Sequence, residues 1–321
     1  VESYADVSEV PADFGPSAVT IGKFDGVHIG HRAVIRRLES VASDRGLVST
    51  VVTFDRHPLN VIDPGHVPPA LTSIAQRAEL LEAAGVQATL RLHFDEVLRA
   101  MSPADFVQHV LVDTLHAKAV LVGSDFRFGA RGAGDIDLLR ELGGSLGFEV
   151  MPIDDVDLRD EVLPSGERRV SSTWIRELLS QGRVAEAARL LGREHAVRGT
   201  VVHGNERGRA MGYPTANLSQ TSEGFIPADG VYAARVLHKA TIYPAAVSVG
   251  NNPTFRGVPE KQIEAHLLDV DIDLYDDTIS VLFTAYVRGM VAFDSMDALA
   301  AQMQQDDLDI RALLGMPTAA R

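Results

Sequence analysis

The spacing of apolar positions divides the chain into two halves of different rhythm. Over residues 17–151, short apolar runs alternate with stretches of helical spacing, predicting strands at 17–21, 48–54, 86–92, 119–122 and 148–151. After the first run, Val34, Ile35, Leu38, Val41 and Ala42 recur at i, i+1, i+4, i+7 and i+8, one buried face of a helix. Ser73 and Gln76 make a capping box before a helix that Gly85 ends. Ser102 caps another helix with Pro103 at its first position, and a further helix spans 135–146. Strands separated by helices imply a doubly wound parallel sheet in an α/β domain. Residues 173–180 and 184–191 read as short helices. Beyond Gly192 the period changes to two, with strands at 197–202, 231–237, 245–249, 263–268 and 279–287. That is the rhythm of a closed antiparallel β-barrel, followed by helices at 296–303 and 308–314. The boundary falls near Leu191, giving domains 1–191 and 192–321. Residues 56–69 read as a mobile loop and 154–167 as a turn or hairpin.

Two domains also suit a length of 321 residues. The formal net charge of −14 argues against a broad nucleic-acid surface, which needs clustered Lys and Arg. A small nucleotide needs only a few local donors. The absence of cysteine removes disulfides and thiol catalysis and fits a cytosolic enzyme. No run of ~18 apolar residues and no basic-then-apolar leader occurs. A cytoplasmic protein with neither membrane nor nucleic-acid partners is expected, and a homo-oligomer is compatible with the sequence. Residue 1 is Val, so an initiator Met is expected to have been removed or to precede this stretch.

The chemistry concentrates where the first strand hands over to the first helix, at Thr20-Ile21-Gly22-Lys23-Phe24-Asp25-Gly26-Val27-His28-Ile29-Gly30-His31. Gly22, Gly26 and Gly30 let the backbone turn and a ligand approach. A helix N-terminus at the carboxyl end of a parallel strand favours anions. His28 and His31 can donate hydrogen bonds to phosphate oxygens there. A metal reading of the pair is weaker, because no third ligand has recognisable spacing. Val170-Ser171-Ser172-Thr173-Trp174-Ile175-Arg176 places hydroxyls and a guanidinium at a helix start, either as an N-cap or as a polyphosphate clamp. Val122-Gly123-Ser124-Asp125 and Thr53-Phe54-Asp55-Arg56-His57-Pro58 follow two further strands, bringing Gly123, Asp125 and His57 to the same sheet edge.

The second half carries Gly204-Asn205-Glu206-Arg207-Gly208-Arg209-Ala210-Met211-Gly212-Tyr213-Pro214-Thr215-Ala216-Asn217. It is neither a Walker loop nor a dinucleotide fingerprint, since no parallel strand and helix bracket it. Thr215 and Asn217 place a hydroxyl and a carboxamide oxygen two residues apart, a donor pair suited to Mg²⁺ and its phosphates. Glu264 lies mid-strand in an alternating run, where an outward, solvated carboxylate is the ordinary role.

The Gly-x-Phe-Asp-Gly-x-His-x-Gly-His string resembles the HxGH nucleotidyltransferases, and His-Ile-Gly-His also marks class I aminoacyl-tRNA synthetases. The Lys-rich loop of the synthetases does not occur here, and the acidic charge opposes tRNA binding. The Val170–Arg176 string resembles the Ile-Ser-Ser-Thr-x-Ile-Arg motif of the HxGH family, which faces the ATP phosphates. With Pro214-Thr215-Ala216-Asn217 after a Gly-rich loop, the chain resembles the bifunctional bacterial riboflavin kinase/FMN adenylyltransferases (FAD synthetases) over residues 17–314. The resemblance implies a Rossmann-like adenylyltransferase followed by a six-stranded flavokinase barrel with a C-terminal helix. It implies ATP, riboflavin, FMN and FAD as substrates or products, Mg²⁺ in both steps, and Glu264 as the kinase general base. By the same resemblance, His28 and His31 serve adenylyl transfer. Gly22, Phe24, Asp25, Gly30, Ser171, Ser172, Thr173, Arg176, Gly204, Gly208, Gly212, Thr215 and Asn217 contact ATP or phosphate. His57, Asn60, Gly123, Asp125 and Asn252 are flavin-side candidates. The chain departs from the family pattern at Gln87, Tyr213 and Arg56. Two other readings stay open on the sequence: a single-activity HxGH transferase with an accessory barrel, and a flavin-binding sensor without turnover.

Overall fold

The computed structural model describes residues 1–153, 168–204, 213–250 and 261–317. The turn expected at 154–167, together with Gly208, Gly212 and Asn252, lies outside the described residues. The chain forms two compact units, Val1–Ala70 with Ile74–Val170, and Leu71–Ser73 with Ser171–Arg321. The helices predicted at 173–180 and 184–191 belong by packing to the second unit, upstream of the change in periodicity at Gly192.

The first unit holds β1 (Glu2–Tyr4), β2 (Ser17–Ile21), α1 (Ile29–Arg45), β3 (Val48–Phe54), α2 (Leu59–Ile62), α3 (Ile74–Ala83), β4 (Ala88–Leu92), α4 (Glu96–Ala100), α5 (Pro103–Phe106), β5 (Ala117–Gly123), α6 (Ile136–Leu146) and β6 (Glu149–Ile153). The six strands are parallel in the order β1-β4-β3-β2-β5-β6. Alternate residues of the central strands enter cores on opposite faces. Val19, Ile21, Val52 and Val120 meet Phe106, Leu111 and Leu139, while Ala18, Val51 and Leu121 meet Ile35, Leu38 and Leu81. Both faces are therefore covered by helices, which is why every residue of β2 is buried. The loop expected at 56–69 contains α2 and a 3₁₀ turn at Pro64–His66. The helix capped by Ser102 continues beyond α5 as a π-helix over Val107–Thr114.

The second unit holds α7 (Ser172–Ser180), α8 (Val184–Leu191), β7 (His195–Val202), β8 (Ala216–Leu218), β9 (Gly230–His238), β10 (Thr241–Gly250), β11 (Gln262–Leu267), β12 (Thr278–Arg288) and α9 (Met296–Leu314). The strands close into an antiparallel barrel in the order β10-β11-β8-β7-β12-β9. Val197, Val236, Val247, Ile263, Ala265 and Val281 recur at alternate positions and are buried. On the other face, Val231, Ala233 and Leu268 pack against Ile310 of α9. The two helices expected at 296–303 and 308–314 are one.

Candidate active sites

In the first unit, β2 is where strand order reverses: β3, β4 and β1 follow on one side and β5 and β6 on the other. Ligands bind open α/β sheets in the crevice beyond the carboxyl ends of the strands at such a point. The segment leaving β2 is held in unusual backbone. Phe24 and Val27 have φ of 48° and 39°, and Gly26 has 83°. Positive φ is rare for a β-branched residue such as Val27, and such outliers gather at functional sites. His28 is the N-cap of α1, and its Nδ1 accepts the backbone N–H of His31 at 3.2 Å. An accepting Nδ1 carries no proton, so the ring proton of His28 sits on Nε2. The rings of His28 and His31 stack with centroids 3.6 Å apart, and Phe24 lies 5.0 Å from His31. Burial pushes the His31 imidazole well below its ordinary pKa, helped by His28 and by the positive charges of Lys23 and Arg169. The buried Nδ1 of His31 has no hydrogen-bond partner among the described residues. A neutral, buried, unsatisfied imidazole beside cations is ready for an anionic ligand.

Neighbouring loops converge here. The Nζ of Lys23 lies 3.3 Å from Nε2 of His57, whose Nδ1 accepts the N–H of Leu59. Asn60 is in α2. Gly22 leaves the end of β2 and Gly123 ends β5, the adjacent strand. Asp125, two residues on, pairs with Arg169 at 3.0 Å. Asp25 is buried. The Arg77 guanidinium donates to the carbonyls of Lys23 and Phe54, tying the β2 and β3 ends together. Burial lowers its pKa, with Asp25 and Asp55 opposing that shift. Lys23 lies within the string that ends at His31, whereas Arg77 and Arg169 are isolated basic residues that carry no spacing signal in the sequence. Arg56 lies beside Asp55 and His93.

In the second unit, Ser171 is the N-cap of α7, its hydroxyl accepting the N–H of Trp174 at 3.2 Å. Ser172, Thr173 and Arg176 occupy the first turns of that helix. The barrel carries the other centre. Asn217 of β8 stands directly opposite Glu264 of β11, so their Cβ atoms are about 5 Å apart on one face. Burial raises the Glu264 pKa above the ordinary carboxylate value. Its ordinary role as a solvated strand carboxylate does not account for that desolvation. Gly204, Pro214, Thr215, Asn217, Asp273 and Tyr275 line a cleft of about 290 Å³. The Asn217 carboxamide donates to the carbonyl of Thr215 at 3.3 Å, which orients it. Gly204 packs against that carboxamide so closely that a Cβ would collide with it. The Thr215 hydroxyl and Asn217 oxygen suit a hard cation such as Mg²⁺. Among the described residues, no group of three or more His, Asp or Glu side chains is arranged to hold a metal. No described helix is long and apolar enough to cross a membrane.

Comparison with known proteins finds one family model in each half of the chain. Residues 10–167 match the FAD synthetase family model and residues 191–314 the riboflavin kinase model. The chain is 37% identical over 303 residues to the bifunctional riboflavin kinase/FMN adenylyltransferase of Escherichia coli K12, covering 94% of each. The protein of that name from Pseudomonas fluorescens is 37% identical, with 94% of each chain covered. That of Listeria monocytogenes is 32% identical, with 97% of this chain and 94% of the relative covered. A crystal structure described as a macrolide-efflux protein from Streptococcus pneumoniae matches with a TM-score of 0.84 and 31% identity, over 96% of this chain and 98% of that one.

Proposed function

The chain belongs to the bifunctional riboflavin kinase/FMN adenylyltransferase family, and we propose on that premise that its two centres divide the two steps of FAD synthesis. The observation that carries the division is the coincidence of each family match with one set of chemistry: FAD synthetase with the His28/His31 segment, riboflavin kinase with Thr215, Asn217 and Glu264. Residues 1–191 are assigned the adenylyltransferase and 192–321 the kinase.

In the kinase step the 5′-hydroxyl of riboflavin attacks the γ-phosphate of ATP, giving FMN and ADP. Glu264 accepts the hydroxyl proton, and its desolvation makes it a stronger base than an exposed carboxylate. Thr215 and Asn217 hold the metal and phosphate, with Gly204 giving Asn217 its room. Mg²⁺, when bound, screens the phosphate charge during transfer. The loop glycines Gly208 and Gly212 and the flavin-side Asn252 are assigned by resemblance alone.

In the adenylyltransferase step the FMN phosphate attacks the α-phosphate of a second ATP, giving FAD and pyrophosphate. That nucleophile is already anionic and needs no base. His28, His31 and Lys23 therefore act by positioning and by stabilising developing charge. The cap bond occupies Nδ1 of His28 and so sets its ring proton on Nε2. Gly22, Phe24, Asp25 and Gly30 shape the phosphate-binding turn. Ser171, Ser172, Thr173 and Arg176, at the start of α7, are assigned to the ATP phosphates by resemblance alone. His57, Asn60, Gly123 and Asp125 are the flavin-side groups. The test is chromatography of products from riboflavin, ATP and Mg²⁺ with the purified chain. FMN followed by FAD, abolished by chelation, is expected; no FMN from a folded chain contradicts the reading.

A further inference from the structure

We propose that His266 is a positioning residue of the kinase step, acting through Pro214 on Thr215; this rests on the kinase reading given above. In the β8–β11 pairing, Asn217 faces Glu264 and Ala216 faces Ala265. Continuing that register would set Thr215 opposite His266 and Pro214 opposite Leu267. The pairing stops at Ala216, and Pro214, which has no N–H, cannot extend it. Thr215 is thus left just outside a three-residue strand, at the point where a metal or phosphate ligand must be fixed.

The side chain of His266 supplies the missing tie. Its Nδ1 lies 2.8 Å from the carbonyl oxygen of Pro214. A carbonyl only accepts, so Nδ1 carries the proton. The ring also packs at 60° against Tyr213, with centroids 5.1 Å apart. Two successive residues ahead of Thr215 are therefore held by one imidazole. That imidazole leaves the same strand face as Glu264, two residues away. One rigid strand, β11, thereby carries the base and fixes the segment that presents Thr215. The spacing between hydroxyl acceptor and phosphate ligand is set by the strand rather than by the loop.

Three variants of the full chain test this. His266→Phe keeps the ring and removes the donor, whereas His266→Asn keeps a donor at the position of Nδ1. Thr215→Ala tests the kinase reading itself. In His266→Phe, both the KM for ATP and the Mg²⁺ concentration for half-maximal FMN formation should rise, on the order of tenfold for one lost hydrogen bond. Conversion of supplied FMN to FAD should not change, and His266→Asn should recover to within about threefold of wild type. A structural role alone predicts a lower melting temperature in both variants with KM and metal dependence unmoved, and that result overturns the proposal. If Thr215→Ala keeps full kinase activity, the kinase reading fails first. If Thr215→Ala loses activity while a folded His266→Phe keeps wild-type ATP and Mg²⁺ dependence, only the His266 proposal fails. Should His266→Phe not fold, the ¹⁵N spectrum of the wild-type imidazole decides: a proton on Nδ1 supports the tie, and an Nε2–H tautomer refutes it.

Discussion

Replacing Gly204 by Ala should disable the kinase and spare the adenylyltransferase. A Cβ at position 204 would lie 2.5 Å from Cγ and 2.7 Å from Oδ1 of Asn217, about 0.9 Å inside the 3.4 Å at which ordinary contact begins. The obstacle is the end of a side chain, so the carboxamide swings away and the barrel survives. Gly204 does not have positive φ, so Ala adds no backbone strain. The cost falls on geometry. A misplacement of ~1 Å at a positioning group can lower a rate by about 10²-fold. FMN formation from riboflavin should fall by about that factor, with a higher Mg²⁺ requirement if Asn217 is a metal ligand. FAD formation from supplied FMN, measured by chromatography on the same preparation, serves as the internal control and should stay at wild-type rate. A folded Gly204→Ala protein with wild-type kcat/KM for riboflavin phosphorylation would refute the role assigned to Asn217.

Glu264→Gln should melt a few degrees higher than wild type at pH 7 while losing kinase activity. Burial raises the folded-state pKa of Glu264, so its cost is absent below the ordinary carboxylate pKa and complete once pH exceeds the raised value. The difference in melting temperature should therefore vanish near pH 4, and a constant difference would contradict the desolvation argument. His31 has the opposite linkage: its folded pKa is depressed, so stability is complete above about pH 6.5 and lost as pH falls below it. Urea midpoints should drop between pH 7 and pH 5.5, less so in His31→Gln, and an equal drop in both would sink this point. A fragment of residues 171–321 should melt higher than one of 192–321. In the longer one Val184, Ala187, Leu190 and Leu191 are buried and α8 packs on β7 and β12. Equal melting temperatures would show that the helices are dispensable.

Strands buried on both faces were the most legible elements. β2 and β3 lie where apolar runs predict them, because a parallel sheet covered on both sides favours apolar side chains and admits only small hydroxyl residues beside them, here Ser17, Thr20, Ser49, Thr50 and Thr53. β1 has no periodic signal in the sequence because it is a three-residue, largely exposed edge strand. β8 was equally silent to periodicity, being three residues long and following a loop. The apolar pattern of the single helix α9 breaks into two because polar residues interrupt its inward face. Asp306 is buried there but bonds Arg288 at 2.6 Å and 2.8 Å, and Arg311 is buried between Asp269 and Asp307. Ion pairs thus fill inward positions where a hydropathy pattern expects apolar residues. Among the candidate site residues, His28, His31, Thr215 and Asn217 stand out in the sequence because their motifs are contiguous, and Glu264 through the resemblance alone. Arg77 and Arg169 do not, since distant chain segments bring them to the His31 turn. Neither could sequence tell a solvated Glu264 from a desolvated one.

The measurement that bears most directly on the two-centre account is a pair of activities in two full-length variants. His28→Ala combined with His31→Ala should lower FMN-to-FAD conversion by at least ~10²–10³, the value of one preorganised donor, and leave riboflavin phosphorylation intact. Glu264→Ala should lower phosphorylation by ~10²–10⁴ and leave FMN-to-FAD conversion intact. Crossed losses of this kind are the predicted result. If either folded variant instead lost both activities in equal measure, the assignment of separate chemistry to the two centres would be wrong.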